Sequence, residues 1–268
     1  MEVCTLASGS SGNAAVVTVG GTHVLLDAGI SCRRITTALK ELGIPPEKLS
    51  AVLITHEHTD HISGLATLTK HLRLPVYAAA PTLRQLCYRI PFLEDLCRPV
   101  TPGEGVEIGG VWAEAFATSH DAAASVGYTL TGNGHKMALA TDLGYVSQGV
   151  LDAVAGAELV ICETNHDEDW LRTGPYPYYL KQRVLGDRGH LSNEAGAELA
   201  AFAVEQGARS VLLAHLSNEN NTPAHALEVV RRRMRAGGVD PDRDITLTVA
   251  PRSDRGRVFC LEKEGAGC

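Results

Sequence analysis

Three imidazoles and the carboxylate of Asp60 fall within six positions in His56-Glu57-His58-Thr59-Asp60-His61, directly after an apolar run. Neutral imidazole and carboxylate oxygen are good ligands for zinc and other borderline divalent ions, and two ligand sets placed side by side suit a two-metal site. That density of ligand types argues against an ordinary surface loop.

A second set of candidates shares a setting. Val52-Leu53-Ile54-Thr55 leads into His56, Phe116-Ala117-Thr118-Ser119 into His120, Ala138-Leu139-Ala140-Thr141 into Asp142, and Val211-Leu212-Leu213-Ala214 into His215. Short apolar runs of this kind read as buried strands, so four strands each deliver a metal-type side chain at the same end. A strand end is anchored by the core while its side chains face a cleft, which holds ligands rigidly enough to fix metal geometry. One histidine in this setting is commonplace; its repetition carries the argument.

The elements around these positions are legible from period and punctuation. Residues 14–19 and 22–27, joined by Gly20-Gly21, read as a β-hairpin. Ser31 can cap a helix with Ile35, Ala38, Leu39 and Leu42 on one face, and Gly43 can end it. His61, Leu65, Leu68 and Leu72 also share a helical face, which makes Asp60 a candidate helix cap. Residues 105–140 turn strand-rich, with turns at Gly109-Gly110 and Gly132-Asn133-Gly134. Helical patterns follow at 146–154, 178–185, 194–203 and 223–234, with strands at 158–161 and 210–214 between them, and Ser192 and Thr222 as caps.

At 268 residues and 44% hydrophobic content, the chain can bury a sizeable core as one domain over 1–268. A net charge of -7 argues against a uniformly basic surface, though a local basic patch remains compatible with it. Seven cysteines, Cys4, Cys32, Cys87, Cys97, Cys162, Cys260 and Cys268, form no CxxC pair, and no signal-like segment opens the chain. A reduced, cytoplasmic protein is the expectation. No run of 18 uncharged apolar residues suggests a membrane span, and composition leaves the oligomeric state open.

The HxHxDH pattern, with its later partners His120, Asp142 and His215, resembles the metallo-β-lactamase-fold hydrolases over essentially the whole chain. That resemblance implies an α/β fold, a four-layer αββα sandwich. It implies one metal held by His56, His58 and His120, a second by Asp60, His61 and His215, and Asp142 bridging the two. Asp27, in Leu25-Leu26-Asp27-Ala28-Gly29, matches an early acidic position expected to support the ligand loop. None of these ligands is a cysteine, unlike thiolate-containing β-lactamases. Zinc and manganese both accept such ligands, with iron also possible. Two ions about 3.5 to 4 Å apart can lower the pKa of a shared water from about 15.7 to near 7, with Asp60 of a type to orient the resulting hydroxide.

The segments Thr5-Leu6-Ala7-Ser8-Gly9-Ser10-Ser11-Gly12-Asn13, Glu163-Thr164-Asn165-His166-Asp167, Gly189-His190-Leu191-Ser192-Asn193 and His215-Leu216-Ser217-Asn218 together look like the YycJ/WalJ-type subgroup of single-domain nucleases. The resemblance implies metal-dependent cleavage of nucleic-acid phosphodiesters, as a 5′-to-3′ exonuclease, on DNA in preference to RNA. Two metals suit in-line attack on phosphorus. A proton donor for the leaving oxygen is then useful, and His190 is favoured over His166. Ser10, Asn13, Ser217, Asn218, Lys181 and Arg183 are candidate substrate contacts, and Tyr176, Tyr178 and Tyr179 could stack on bases. Arginines at 231–235 and at 252–257 could form a backbone-tracking patch. A thioester or lactone hydrolase of glyoxalase II type, an RNA-processing nuclease and a non-catalytic regulatory protein are the competing readings.

Overall fold

The computed structural model describes residues 1–262, so Cys268 lies outside the described residues. The first part of the chain supplies β1 (Glu2–Ala7), β2 (Ala14–Val19), β3 (Thr22–Leu26), α1 (Cys32–Glu41), β4 (Leu49–Leu53), α2 (Thr59–Ile62), α3 (Leu65–Leu72), β5 (Val76–Ala79), α4 (Ala80–Arg89) and β6 (Cys97–Val100). Next come β7 (Gly105–Ile108), β8 (Val111–Ala117), β9 (Val126–Gly132), β10 (His135–Ala140), α5 (Gln148–Val154) and β11 (Leu159–Glu163). The chain closes with α6 (Glu168–Thr173), α7 (Tyr178–Leu185), α8 (Asn193–Glu205), β12 (Ser210–Ala214), α9 (Pro223–Ala236), β13 (Thr246–Val249) and β14 (Phe259–Cys260).

The strands form two seven-stranded sheets, in the orders β14-β1-β2-β3-β4-β5-β6 and β13-β12-β11-β10-β9-β8-β7. Each sheet is antiparallel in one part and parallel in the other: β3 to β6 run parallel, as do β10 to β13. β8 pairs antiparallel with β9, and β9 with β10, so β8 points the same way as β10. Parallel strands end at a common edge, and in open α/β sheets the crevice beyond those carboxyl ends is where ligands bind.

Alternation along the strands decides which side chains meet. Val17, Val24, Leu26 and Leu53 of the first sheet face Leu130, Met137, Leu159, Ile161 and Leu212 of the second in one buried layer. The opposite face of the first sheet packs Leu25, Val52 and Val76 against Ile35 and Leu39 of α1, Leu65 and Leu68 of α3 and Leu86 of α4. The opposite face of the second packs Val160, Val211 and Leu213 against Val150 of α5, Leu199 and Ala203 of α8 and Val230 of α9. Each fully buried Leu, Ile or Val contributes roughly 1.5–3 kcal/mol by leaving water. These layers are the αββα arrangement expected from sequence.

Local signals explain the helix starts. Backbone N–H groups donate to the hydroxyls of Ser31, Ser192 and Thr222 at the first turns of α1, α8 and α9. Asp60 departs from its expected role: His58 occupies the cap of α2, no side chain caps it, and Asp60 sits inside the first turn. The helical face read from His61 to Leu72 is broken at Ser63-Gly64 into α2 and α3. The break follows from close packing, because Gly64 N–H donates to Ala28 and a Cβ at Gly64 would lie 2.1 Å from the Ile30 carbonyl oxygen. Asp60 is thereby free to face the cleft.

Three non-glycine residues that directly end strands or immediately follow a strand-end threonine adopt left-handed backbone: Asp27 after β3, with φ 57°, Asp142 after β10, with φ 60°, and His215 after β12, with φ 57°. Such a conformation costs an ordinary side chain about 1–2 kcal/mol, and Asp and His are among the residues that tolerate it best. Asp142 and His215 line the cleft and Asp27 is buried behind it against His61, and local strain at such positions is held by the surrounding packing. No helix among the described residues is long and apolar enough to cross a membrane.

Candidate metal centre

Both sheets contribute to one cleft of ≈ 230 Å³ lined by His58, Asp60, His120, Asp142, His190 and His215, with Ser10, Ser217, Tyr176 and Arg183 at its walls. The first sheet brings Asp27 at the end of β3 and His56 after β4, followed by the α2 turn with His58, Asp60 and His61. The second brings His120 beyond β8, Asp142 beyond β10, Glu163 closing β11 and His215 after β12.

Candidate ligand atoms converge here in several overlapping groups. His56, His58 and His120 place one nitrogen each within 4.8 Å of one another, and so do the ligand atoms of Asp60, His61 and His215. Asp142 lies between: one oxygen is 3.6 Å from Nε2 of His120 and 3.6 Å from Nε2 of His215, and the other is 3.5 Å from Nε2 of His61. Nε2 of His56, Nε2 of His215 and Oδ2 of Asp142 are buried with no hydrogen-bond partner. Buried polar atoms without partners are costly, so their convergence fits a group that binds there, and nitrogen and oxygen donors fit a divalent cation.

Further interactions fix the imidazoles so that Nε2 faces the cleft. His61 Nδ1–H donates to Asp27 at 2.8 Å, His120 Nδ1–H to the Gly189 carbonyl at 2.9 Å, and His215 Nδ1–H to Glu163 at 2.9 Å. Thr55 Oγ1 sits 3.0 Å from His56 Nδ1 and donates to Asp27, whose Oδ1 also accepts from Thr55 N–H at 2.8 Å. Asp27 is thus the support for the ligand loop anticipated above. Partners of this kind set imidazole tautomer and orientation, and their loss typically costs 10–100-fold in metal affinity. Asp27→Asn is expected to weaken binding at the His61 set by about that range. Competition with a chromophoric chelator checks it, and wild-type affinity would contradict the role.

The backbone of the ligand loop is pinned as well. Asn13 N–H donates to the Asp60 carbonyl and Ala28 N–H to that of His61, both at 2.8 Å. Gly29 packs so tightly that a Cβ would lie 1.6 Å from the Asp60 oxygen. Asn13 Nδ2 lies 3.2 Å from His61 Nε2 and 3.5 Å from an Asp60 carboxylate oxygen, behind these two side chains.

Electrostatics divide the two sets. Burial, reinforced by the neighbouring His61 cation, lowers His56 well below the usual imidazole range, and burial lowers His120. Burial acts the same way on His61 and His215 and is the largest single influence, but the carboxylates together outweigh it, Asp142 with Asp27 and Asp60 at His61 and Asp142 with Asp60 and Glu163 at His215, raising His61 well above the usual range and His215 to about 10. Without a cation, protons therefore occupy the His61 and His215 set at neutral pH while His56 and His120 stay neutral. Metal uptake is expected to release protons, and affinity is expected to fall as pH drops. Calorimetric titration in two buffers of different ionisation enthalpy reads the released protons, and identical heats in both would contradict this.

Glu163 is the functional candidate missed from sequence. It is wholly buried and accepts from His190 Nδ1–H at 2.8 Å, His215 Nδ1–H at 2.9 Å, Leu143 N–H at 2.9 Å and Leu191 N–H at 3.2 Å. Burial pushes its carboxyl up, but His190 and His215 bring it down to about 2. The strand-end argument could have found it, since β11 runs through Glu163 rather than stopping at 161.

Several other expected contacts fall elsewhere. His166 is 1% exposed and outside the cleft lining, with burial pulling it down to about 4, whereas His190 lies in the cleft 3.8 Å from Asp142. Lys181 donates to the Arg172 carbonyl and Asn218 is exposed; neither lines the cleft, and nor does Asn13. Arg183 does line it and pairs with Asp121, an unanticipated wall residue whose other oxygen is 3.4 Å from His120 Nε2. Tyr176 lines the cleft beside Leu180 and Val184, while Tyr178 and Tyr179 stand exposed on α7.

Comparison with known proteins agrees with this geometry. Residues 22–216 match the Beta-lactamase superfamily domain. The chain is 38% identical over 224 residues to exodeoxyribonuclease YycJ of Bacillus anthracis, covering 82% of this chain and 84% of that protein. It is 39% identical over 219 residues to exodeoxyribonuclease WalJ of Streptococcus pneumoniae serotype 2, covering 81% of each. The fold superposes on the metallo-beta-lactamase fold protein YhfI of Bacillus subtilis with a TM-score of 0.73 at 18% identity, over 96% of this chain and 98% of that one. The chain therefore belongs to the beta-lactamase superfamily, and within it to the family of the YycJ and WalJ proteins.

Proposed function

We propose that this chain is a metal-dependent phosphodiesterase that cuts nucleic acid, DNA in preference to RNA, as a 5′-to-3′ exonuclease with two divalent ions as cofactor. One observation carries the reading: two donor sets share Asp142 in one cleft, with the His190–Glu163 pair beside them. The relatives that match four-fifths of the chain are named exodeoxyribonucleases, which supports the choice of polymer.

In this reading His56, His58 and His120 hold one ion, Asp60, His61 and His215 the other, and Asp142 belongs to both. When bound, zinc, manganese or iron ions would supply Lewis acidity towards the phosphate and a nucleophile at neutral pH. Glu163 holds His190 through Nδ1–H, leaving Nε2 to hand a proton to the departing sugar oxygen. Ser10, Ser217 and Arg183 orient the phosphate with hydroxyls and a guanidinium, whose fork geometry suits phosphate oxygens. Tyr176, Leu180 and Val184 form an apolar wall that keeps bulk water from the reacting centre.

The test is digestion of 5′-labelled and 3′-labelled DNA and RNA strands by metal-loaded protein, alongside a thioester. Release of labelled mononucleotide from the 5′ end of DNA, with a shortening ladder from the 3′ label, is the expected result. Inert phosphodiesters with brisk thioester turnover would overturn it.

A further inference from the structure

Beyond the cleft, one group of arginines lacks carboxylate partners and connects to the cleft wall through a continuous set of contacts. On α9, Arg231 and Arg235 share the single carboxylate of Asp242 and Arg233 pairs with Glu198, which offsets two of that helix's four arginine charges. Arg33, Arg34 and Arg252 take part in no ion pair among the described residues. This matters in a chain of net charge -7, where cations without carboxylate partners are open to an external anion.

Ser10 and Ser217 line the cleft, and Arg252 lies against both segments. Its Nη2 donates to the Ser217 carbonyl at 3.2 Å, and a Cβ at Gly9 would lie 3.5 Å from its Cγ and 3.7 Å from its Nε. The next residue, Ser253, accepts from Arg34 Nη2 at 2.6 Å. Arg33 and Arg34 are exposed in the first turn of α1, which carries no acidic residue. Cations at the positive end of a helix repel the local dipole, so their placement opposes stability unless an anion binds there.

We propose that Arg33, Arg34 and Arg252 form a phosphate-binding shoulder that takes the phosphodiester backbone of the nucleic-acid strand outside the metal cleft. This deepens the nuclease reading and rests on it. The shoulder grips a phosphate other than the one being cut, so it adds affinity for a strand and nothing for a small diester that ends at its two ester groups. Contacts of this type read no sequence.

Fluorescence anisotropy with metal-loaded protein and a cleavage-resistant phosphorothioate strand of about twenty nucleotides measures the shoulder without turnover. The R33E/R34E protein is expected to bind at least about tenfold more weakly near 0.1 M salt, with the log–log salt slope shallower by about 0.7–0.9 for each lost contact. R33K/R34K keeps the charge and is expected to restore most of the binding. Hydrolysis of bis(4-nitrophenyl) phosphate by R33E/R34E is expected to stay within about twofold of wild type, since that diester does not reach the charges screened by bulk salt. Equal strand binding by wild type and R33E/R34E, or an equal fall on strand and small diester, would overturn the shoulder. Tight, salt-sensitive binding of the strand by wild type, lost in R33E/R34E, supports the shoulder even where metal-loaded wild type cuts no phosphodiester; that last result refutes the nuclease reading instead.

Discussion

Asp142→Ala is expected to lower phosphodiester hydrolysis by on the order of 10³-fold or more, because removing one preorganised electrostatic group already costs about 10²–10³ and this carboxylate serves both donor sets. Its oxygens approach His61, His120 and His215 at 3.5–3.6 Å, so no neighbour can replace it. Metal content should fall in parallel, as read by elemental analysis after dialysis. The same change acts on the metal-free protein. Asp142 keeps His61 and His215 protonated inside the fold, and breaking a buried charge pair costs about 3–5 kcal/mol. A histidine whose folded pKa is raised contributes stability that is fully present below its unfolded pKa and is lost as pH rises through the folded value, about 10 for His215. The stability gap between metal-free wild type and variant should therefore be largest in mild acid and shrink towards pH 10. Because residue 142 has φ 60°, Asp142→Asn is the companion that separates loss of charge from backbone strain. Wild-type turnover by either protein would contradict a role in both sets.

The second large effect concerns the proton. General acid catalysis contributes about 10²–10⁴-fold, and His190→Ala should lose it where the leaving group is a sugar alkoxide. With a 4-nitrophenolate leaving group, which departs without help, the loss should stay below about tenfold. Glu163→Gln should show the same selectivity, since it removes the negative charge that holds His190 Nδ1–H, while also disturbing His215. Equal slowing of good and poor leaving groups by His190→Ala would remove it as the acid.

Much of this site was legible because strand ends are local features. The apolar runs before His56, His120, Asp142 and His215 announce both the strand and the side chain it delivers, and the structure brings all four together. Cap chemistry was equally readable at Ser31, Ser192 and Thr222. It failed at Asp60, where contact with residues 28–30 breaks the helix and no local pattern records that contact. Glu163 was missed for a related reason. With the strand read only to 161, Glu163 is placed in the following loop instead of at the strand end, where it meets Leu143, His190 and His215. Lys181 is tied to the Arg172 carbonyl, and nothing in the spacing of α6 and α7 reveals that contact.

The buried layer between the two sheets has a consequence for the centre at its edge. Packed sheets stand roughly 10 Å apart, and that separation is set by side chains such as Leu53, Leu130, Met137 and Ile161, none of which lines the cleft. Since His56, His58, Asp60 and His61 follow a strand of one sheet and His120, Asp142 and His215 follow strands of the other, each donor set spans both sheets, and this layer works as a gauge block whose thickness calibrates the distance across each set. Trimming a methylene from it would shift the spacing of the donor atoms before it changed any residue among them.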